Sequence, residues 1–124
     1  METTKKPISP NVHGAIDYSS VGLMLLAPSL LGLKGRARTL SYFFGATYAV
    51  VSALTDYKLA LKRLIPFRAH GLVEISSAPL LVALPLVLGA FKQKSARNFF
   101  LGMAATVVTV YSLTDWDADT DADE

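Results

Sequence analysis

Residues 13–33 read HGAIDYSSVGLMLLAPSLLGL, and residues 70–90 read HGLVEISSAPLLVALPLVLGA. Each opens with a histidine four places ahead of a carboxylate, His13 with Asp17 and His70 with Glu74, and at helical spacing such a pair shares one face. Each then continues in apolar residues for about 20 positions, the length at which a helix matches the roughly 30 Å hydrocarbon layer of a bilayer. Ionisable groups in such a segment are expensive and are usually paired or functional. The two stretches therefore predict membrane helices with a polar cluster at one end.

The stretches are also copies of one another. Displaced by 57 residues, from 13 to 70, the positions His13, Gly14, Asp17, Ser20, Pro28 and Gly32 fall on His70, Gly71, Glu74, Ser77, Pro85 and Gly89. Two extra residues in the middle connection change the displacement to 59, from 56 to 115, and Ala37, Arg38, Thr47, Thr55 and Asp56 then meet Ala96, Arg97, Thr106, Thr114 and Asp115. The expected fold is all-α, a transmembrane four-helix bundle of two tandem two-helix repeats, about 11–57 and about 68–116, in one domain over 1–124. Each unit crosses twice, so both point the same way and a pseudo-twofold axis should run along the membrane normal.

Composition agrees with a membrane class: 52% of the 124 residues are hydrophobic and mean hydropathy is +0.38. The absence of cysteine excludes disulfides, thiolate metal sites and iron-sulfur clusters, so any metal must rest on histidine and carboxylates. The net charge of +2 conceals an asymmetry, with basic residues in the connections and acids from Asp117 to Glu124. Nothing in that pattern calls for nucleic acid. The polar lead, Met1 to Asn11, has neither the apolar core nor the cleavage site of a signal peptide, so the first hydrophobic segment is expected to remain in the protein. A bacterial cytoplasmic (inner) membrane is the expected location. Basic residues divide six to six between the two faces. The short loops from Lys34 to Arg38 and from Lys92 to Arg97 carry theirs tightly against helix ends, which favours a cluster facing outward.

Between the two histidine helices, Ser41, Gly45, Ala49 and Ala53 recur at every fourth place, a stripe suited to close helix packing. Lys58 to Arg68 reads either as an amphipathic interfacial piece or as a loop. The acidic tail 117–124 is expected to be disordered. Tyr18, Tyr57 and Trp116 fit an interfacial aromatic belt, with partnership to a metal site as the alternative. The serines near both sites, with Thr55 and Thr114, are expected to hydrogen-bond between helices or to their own backbone.

Late in each histidine helix stands a proline followed at the fourth place by glycine, Pro28 to Gly32 and Pro85 to Gly89. This frame resembles that of the SPW-repeat bacterial membrane proteins, without their flanking serine and tryptophan. The resemblance implies a four-helix membrane fold and no particular activity.

In an up-down-up-down bundle the starts of the first and third helices and the ends of the second and fourth share one face. His13, Asp17, Asp56, His70, Glu74 and Asp115 are therefore the candidate metal ligands, two imidazoles and four carboxylates. That inventory matches the di-iron and di-manganese carboxylate bundles, although the order and spacing differ. It predicts two divalent ions of the iron, manganese or zinc class, with copper also open, and a metal-dependent oxidoreductase as one outcome. The alternatives are a structural or proton-relay hydrogen-bond network and bis-His haem ligation by His13 and His70. Lipid, metal ions and further copies of the chain are the expected partners.

Overall fold

The computed structural model describes residues 5–121. These residues form four α-helices, α1 (Pro10–Leu30), α2 (Gly35–Ala53), α3 (Phe67–Val87) and α4 (Lys94–Leu113), and a 3-10 turn at Ala90–Lys92. No strand forms among the described residues, only two isolated backbone bridges. Helix α1 packs chiefly along α2, and α3 along α4.

Local chemistry sets the helix limits. The Ser9 hydroxyl caps α1 by accepting from the Val12 N–H at 3.2 Å, and Pro10 takes the first position, where its missing N–H costs nothing. Just past α1 and α3 the chain turns through the left-handed region at Gly32 (φ +66) and Gly89 (φ +80), which stops each helix. The small-residue stripe of α2 lies where α1 comes closest. Ser41 donates its hydroxyl to the Met24 carbonyl at 2.6 Å, and a Cβ on Gly45 would lie 3.1 Å from that of Met24.

The apolar core fills the end of the molecule away from the histidines. Met24, Leu33, Ala37, Leu81, Ala96 and Phe100 are sealed there, and each large side chain contributes about 1.5–3 kcal/mol. The two short basic loops meet beneath it: Lys34 N–H donates to Gln93 Oε1 at 3.1 Å, and Gln93 Nε2 donates to the Lys34 carbonyl at 2.8 Å.

At the histidine end, two matching backbone clamps fasten the chain just past α2 and α4. Ile65 N–H donates to Leu54 O and Asp56 N–H to Ile65 O, both at 2.7 Å. Ile8 N–H donates to Leu113 O at 3.1 Å and Asp115 N–H to Ile8 O at 2.9 Å. The stretch from Lys58 to Pro66 is a turn-rich loop, and Leu61 and Lys62 both donate to the Ala53 carbonyl. The acidic tail departs from expectation. Its described part, 117–121, forms turns and is held by two arginines, Arg68 in the first turn of α3 on Asp117 and Arg63 within that loop on Asp121 at 2.8 Å. The remaining tail residues, 122–124, lie outside the described residues.

Among the described residues one helix, α3, is long and apolar enough to cross a membrane. The others carry more polar residues: Asn11, His13 and Asp17 in α1, Arg36 and Arg38 in α2, and Lys94, Arg97 and Asn98 in α4. Apolar side chains nevertheless face outward on all four, including Leu26, Leu30, Phe43, Leu72, Val87 and Val108.

Two glycines in the first turns of α1 and α3 are required by close approach. A Cβ at Gly14 would fall 2.8 Å from the ring of the sealed Tyr57, and one at Gly71 would fall 3.0 Å from the Trp116 ring. Gly14→Ala should therefore cost about 1–3 kcal/mol and Gly71→Ala less, whereas Gly22→Ala and Gly102→Ala, with open space, should gain about 0.5–1 kcal/mol. Thermal unfolding of the purified variants measures all four.

Candidate metal centre

His13 and His70 stand in the first turns of α1 and α3, and Asp17 and Glu74 follow one turn later on the same faces. All four are buried: His13 is 0% exposed, His70 2%, Glu74 6% and Asp17 8%. Their inner atoms form a closed ring alternating nitrogen and oxygen. His13 Nε2 lies 2.7 Å from Glu74 Oε2 and 3.1 Å from Asp17 Oδ2, while His70 Nε2 lies 2.9 Å and 2.7 Å from the same two oxygens. Ligand atoms of the four lie within 4.8 Å of one another, so this group could hold a metal ion.

Two threonines fix the orientation of the imidazoles. Thr55 and Thr114 stand just past the ends of α2 and α4, and each donates its hydroxyl proton to the carbonyl four residues back, Val51 and Val110, at 2.6 Å. A hydroxyl has one proton, so each oxygen can only accept from its histidine. His13 Nδ1 therefore donates to Thr114 at 2.8 Å, and His70 Nδ1 donates to Thr55 at 2.6 Å. Both Nε2 atoms face the carboxylates. The contacts cross between the helix pairs α1/α2 and α3/α4, with the histidine of each held by the threonine that follows the other.

Asp56 and Asp115, expected as further ligands, are not brought to the ring. Asp56 accepts from Arg63 Nε at 2.6 Å with its side chain 49% exposed, and Asp115 Oδ1 accepts from the Asp117 N–H at 3.2 Å. The backbone clamps explain the difference. Once α2 and α4 end, the chain is extended at the bridge, where successive side chains point to opposite sides. Threonine takes the inner side, and the aspartate after it takes the outer. Thr55 and Thr114 are repeated in the sequence as faithfully as the aspartates, and that repetition was the available signal for their role.

An aromatic wall closes the outer side of the ring. The Trp116 ring packs 4.8 Å from the His13 ring, and Phe67 packs against His13 and His70 at 5.7 Å and 6.2 Å. Tyr57 is fully buried beside His70 rather than part of an exposed belt, and burial raises its phenol pKa well above the ordinary range. Trp116 Nε1 donates to the Tyr111 carbonyl at 3.0 Å. Tyr18 donates to the Leu59 carbonyl at 2.9 Å. The chain matches no family model, no curated protein and no solved structure.

Replacing either threonine by valine keeps its shape and strands a buried imidazole N–H. Thr55→Val and Thr114→Val should each cost about 1–3 kcal/mol in unfolding free energy, while the serine variants, which keep the hydroxyl, should cost clearly less. Equal losses for valine and serine would show that the methyl group, not the acceptor, matters there.

Proposed function

We propose that this chain is a membrane protein that holds one divalent transition-metal ion between its two sequence repeats, through His13, Asp17, His70 and Glu74. The observation that carries this reading is the locking of both Nδ1 atoms as donors. A neutral imidazole so locked turns its Nε2 lone pair toward two carboxylate oxygens only 2.7–3.1 Å away. Lone pairs facing carboxylates repel unless positive charge lies among them, either a proton on each Nε2 or a dication shared by all four atoms. Were the four atoms a square, edges of this length would put its centre about 2 Å from each corner, the ordinary metal distance for imidazole nitrogen and carboxylate oxygen. The donated Nδ1–H bonds are those that orient histidine ligands in metal proteins.

One ion suits the site better than two. Paired ions stand about 3.5–4 Å apart and need ligands on their outer sides, and Asp56 and Asp115 are engaged elsewhere. Asp17 and Glu74 fill the space between the two Nε2 atoms that a bis-His haem would occupy. Two nitrogen and two oxygen donors suit zinc, iron or manganese. The membrane placement is supported by the apolar span of α3 and by the apolar side chains facing outward from all four helices. Residues related by 57 or 59 positions make matching contacts, which supports two copies about a pseudo-twofold passing through the ion. The proline and glycine frame shared with SPW-repeat proteins fits the same architecture.

A second reading rests on the ring's dimensions, since 2.7–3.1 Å is also the ordinary length of a hydrogen bond. With a proton on each Nε2 the four groups satisfy one another as a structural or proton-relay network. Elemental analysis of protein purified in mild detergent without chelator separates the two. One ion per chain is expected, falling about tenfold or more in His13→Ala, His70→Ala, Asp17→Asn and Glu74→Gln and staying unchanged in Asp56→Asn and Asp115→Asn. Folded wild-type protein that takes up no first-row dication would leave the protonated ring as the function of the cluster.

A further inference from the structure

The two sides of the ring differ. On the α2/α3 side, Tyr48 reaches in beside the acids, and its hydroxyl bonds to Ser77 Oγ at 2.5 Å, which in turn donates to the Glu74 carbonyl at 2.6 Å. The matching residues on the α1/α4 side, displaced by 59 and 57 positions, are Val107 and Ser20. Valine is too short to fill the space that tyrosine takes and brings no hydroxyl. A cleft remains there, entering between Ile16, Ser20, Met103 and Val107 and reaching the two carboxylates and the Tyr48 ring at its back, with room for about one water-sized molecule. Ser20 lines this cleft and has no hydrogen-bond partner among the described residues.

We infer that this cleft is the seat of one small uncharged ligand, water or a diatomic such as dioxygen, bound to the ion on the Ser20 side only. The inference rests on the metal reading above. Three features define the ligand class. The space admits one water-sized molecule, and a diatomic would enter it end-on toward the ion. Ile16, Met103, Val107 and Val110 make the walls mostly apolar, the Thr106 hydroxyl is turned to the Gly102 carbonyl and that of Tyr48 to Ser77, and no cation is present to compensate a bound anion. The free Ser20 hydroxyl offers a single hydrogen bond, in the place where its counterpart Ser77 meets the phenol of Tyr48. Four protein ligands leave an ion able to accept a fifth, and this side gives it room. The opposite side is already occupied by the chain's own tyrosine.

Nitric oxide, a neutral diatomic that gives ferrous sites a distinctive electron paramagnetic resonance signal, is the probe. Wild-type protein loaded anaerobically with ferrous iron is expected to form one nitrosyl adduct per iron. In Val107→Tyr, which rebuilds on this side the plug present on the other, adduct formation should fall about tenfold or more while iron content stays at the wild-type value. Val107→Leu is a smaller plug that the bundle accommodates more easily, and its adduct should fall between the two. Full iron content with no nitrosyl adduct in the wild type overturns this inference alone, as does an adduct undiminished in both variants. Wild-type protein that retains no iron overturns the metal reading and this inference with it.

Discussion

Everything at the histidine end depends on how two threonine hydroxyls use their single proton. Each has given it to a helix carbonyl, Val51 or Val110, and that choice removes any freedom in the imidazole opposite. The carbonyls are among those left without partners at a helix C-terminus, so the bond serves the helix first. Its second effect is on chemistry. With both Nδ1 atoms tied to oxygens that can only accept, both Nε2 atoms must face the carboxylates, and the ring then requires positive charge. Local helix-end chemistry thus fixes which atoms of the buried cluster face one another.

The same contacts hold the molecule together. Because His13 is tied to Thr114 and His70 to Thr55, the helix pairs α1/α2 and α3/α4 cross-brace each other through the site. At the other end the braces are a backbone and side-chain exchange between Lys34 and Gln93 and the sealed Met24, Leu81 and Phe100. A purely apolar seam could slide, since apolar packing is not directional. The buried polar ring sets the register, and the proposed ion would strengthen it. Where the two halves differ, at Tyr48 against Val107, the ring gains an open side.

Much of this was legible in the sequence, for identifiable reasons. The pairs His13 with Asp17 and His70 with Glu74 declared themselves because helical spacing holds throughout a helix, and the repeat doubled the signal. The order of four helices followed from the apolar runs and basic connections. Asp56 and Asp115 were misassigned as ligands because they lie beyond the last helical turn, where the helical period no longer says which neighbour faces inward. Thr55 and Thr114, each one residue earlier, take that place. Trp116 and Tyr57 read first as belt residues and only second as partners of the site, because hydropathy alone cannot show that a ring packs on an imidazole. The acidic tail looked disordered because its charges were read without Arg63 and Arg68, which the fold brings to Asp121 and Asp117.

X-ray absorption spectroscopy at the metal edge of protein loaded with one equivalent of zinc tests the central claim most directly. A first shell of nitrogen and oxygen at about 2.0–2.1 Å, with the outer-shell scattering of two imidazoles and no sulfur, is the expected spectrum. Scattering from one imidazole or none, or zinc surrounded only by water oxygens, would contradict a centre built from His13, Asp17, His70 and Glu74.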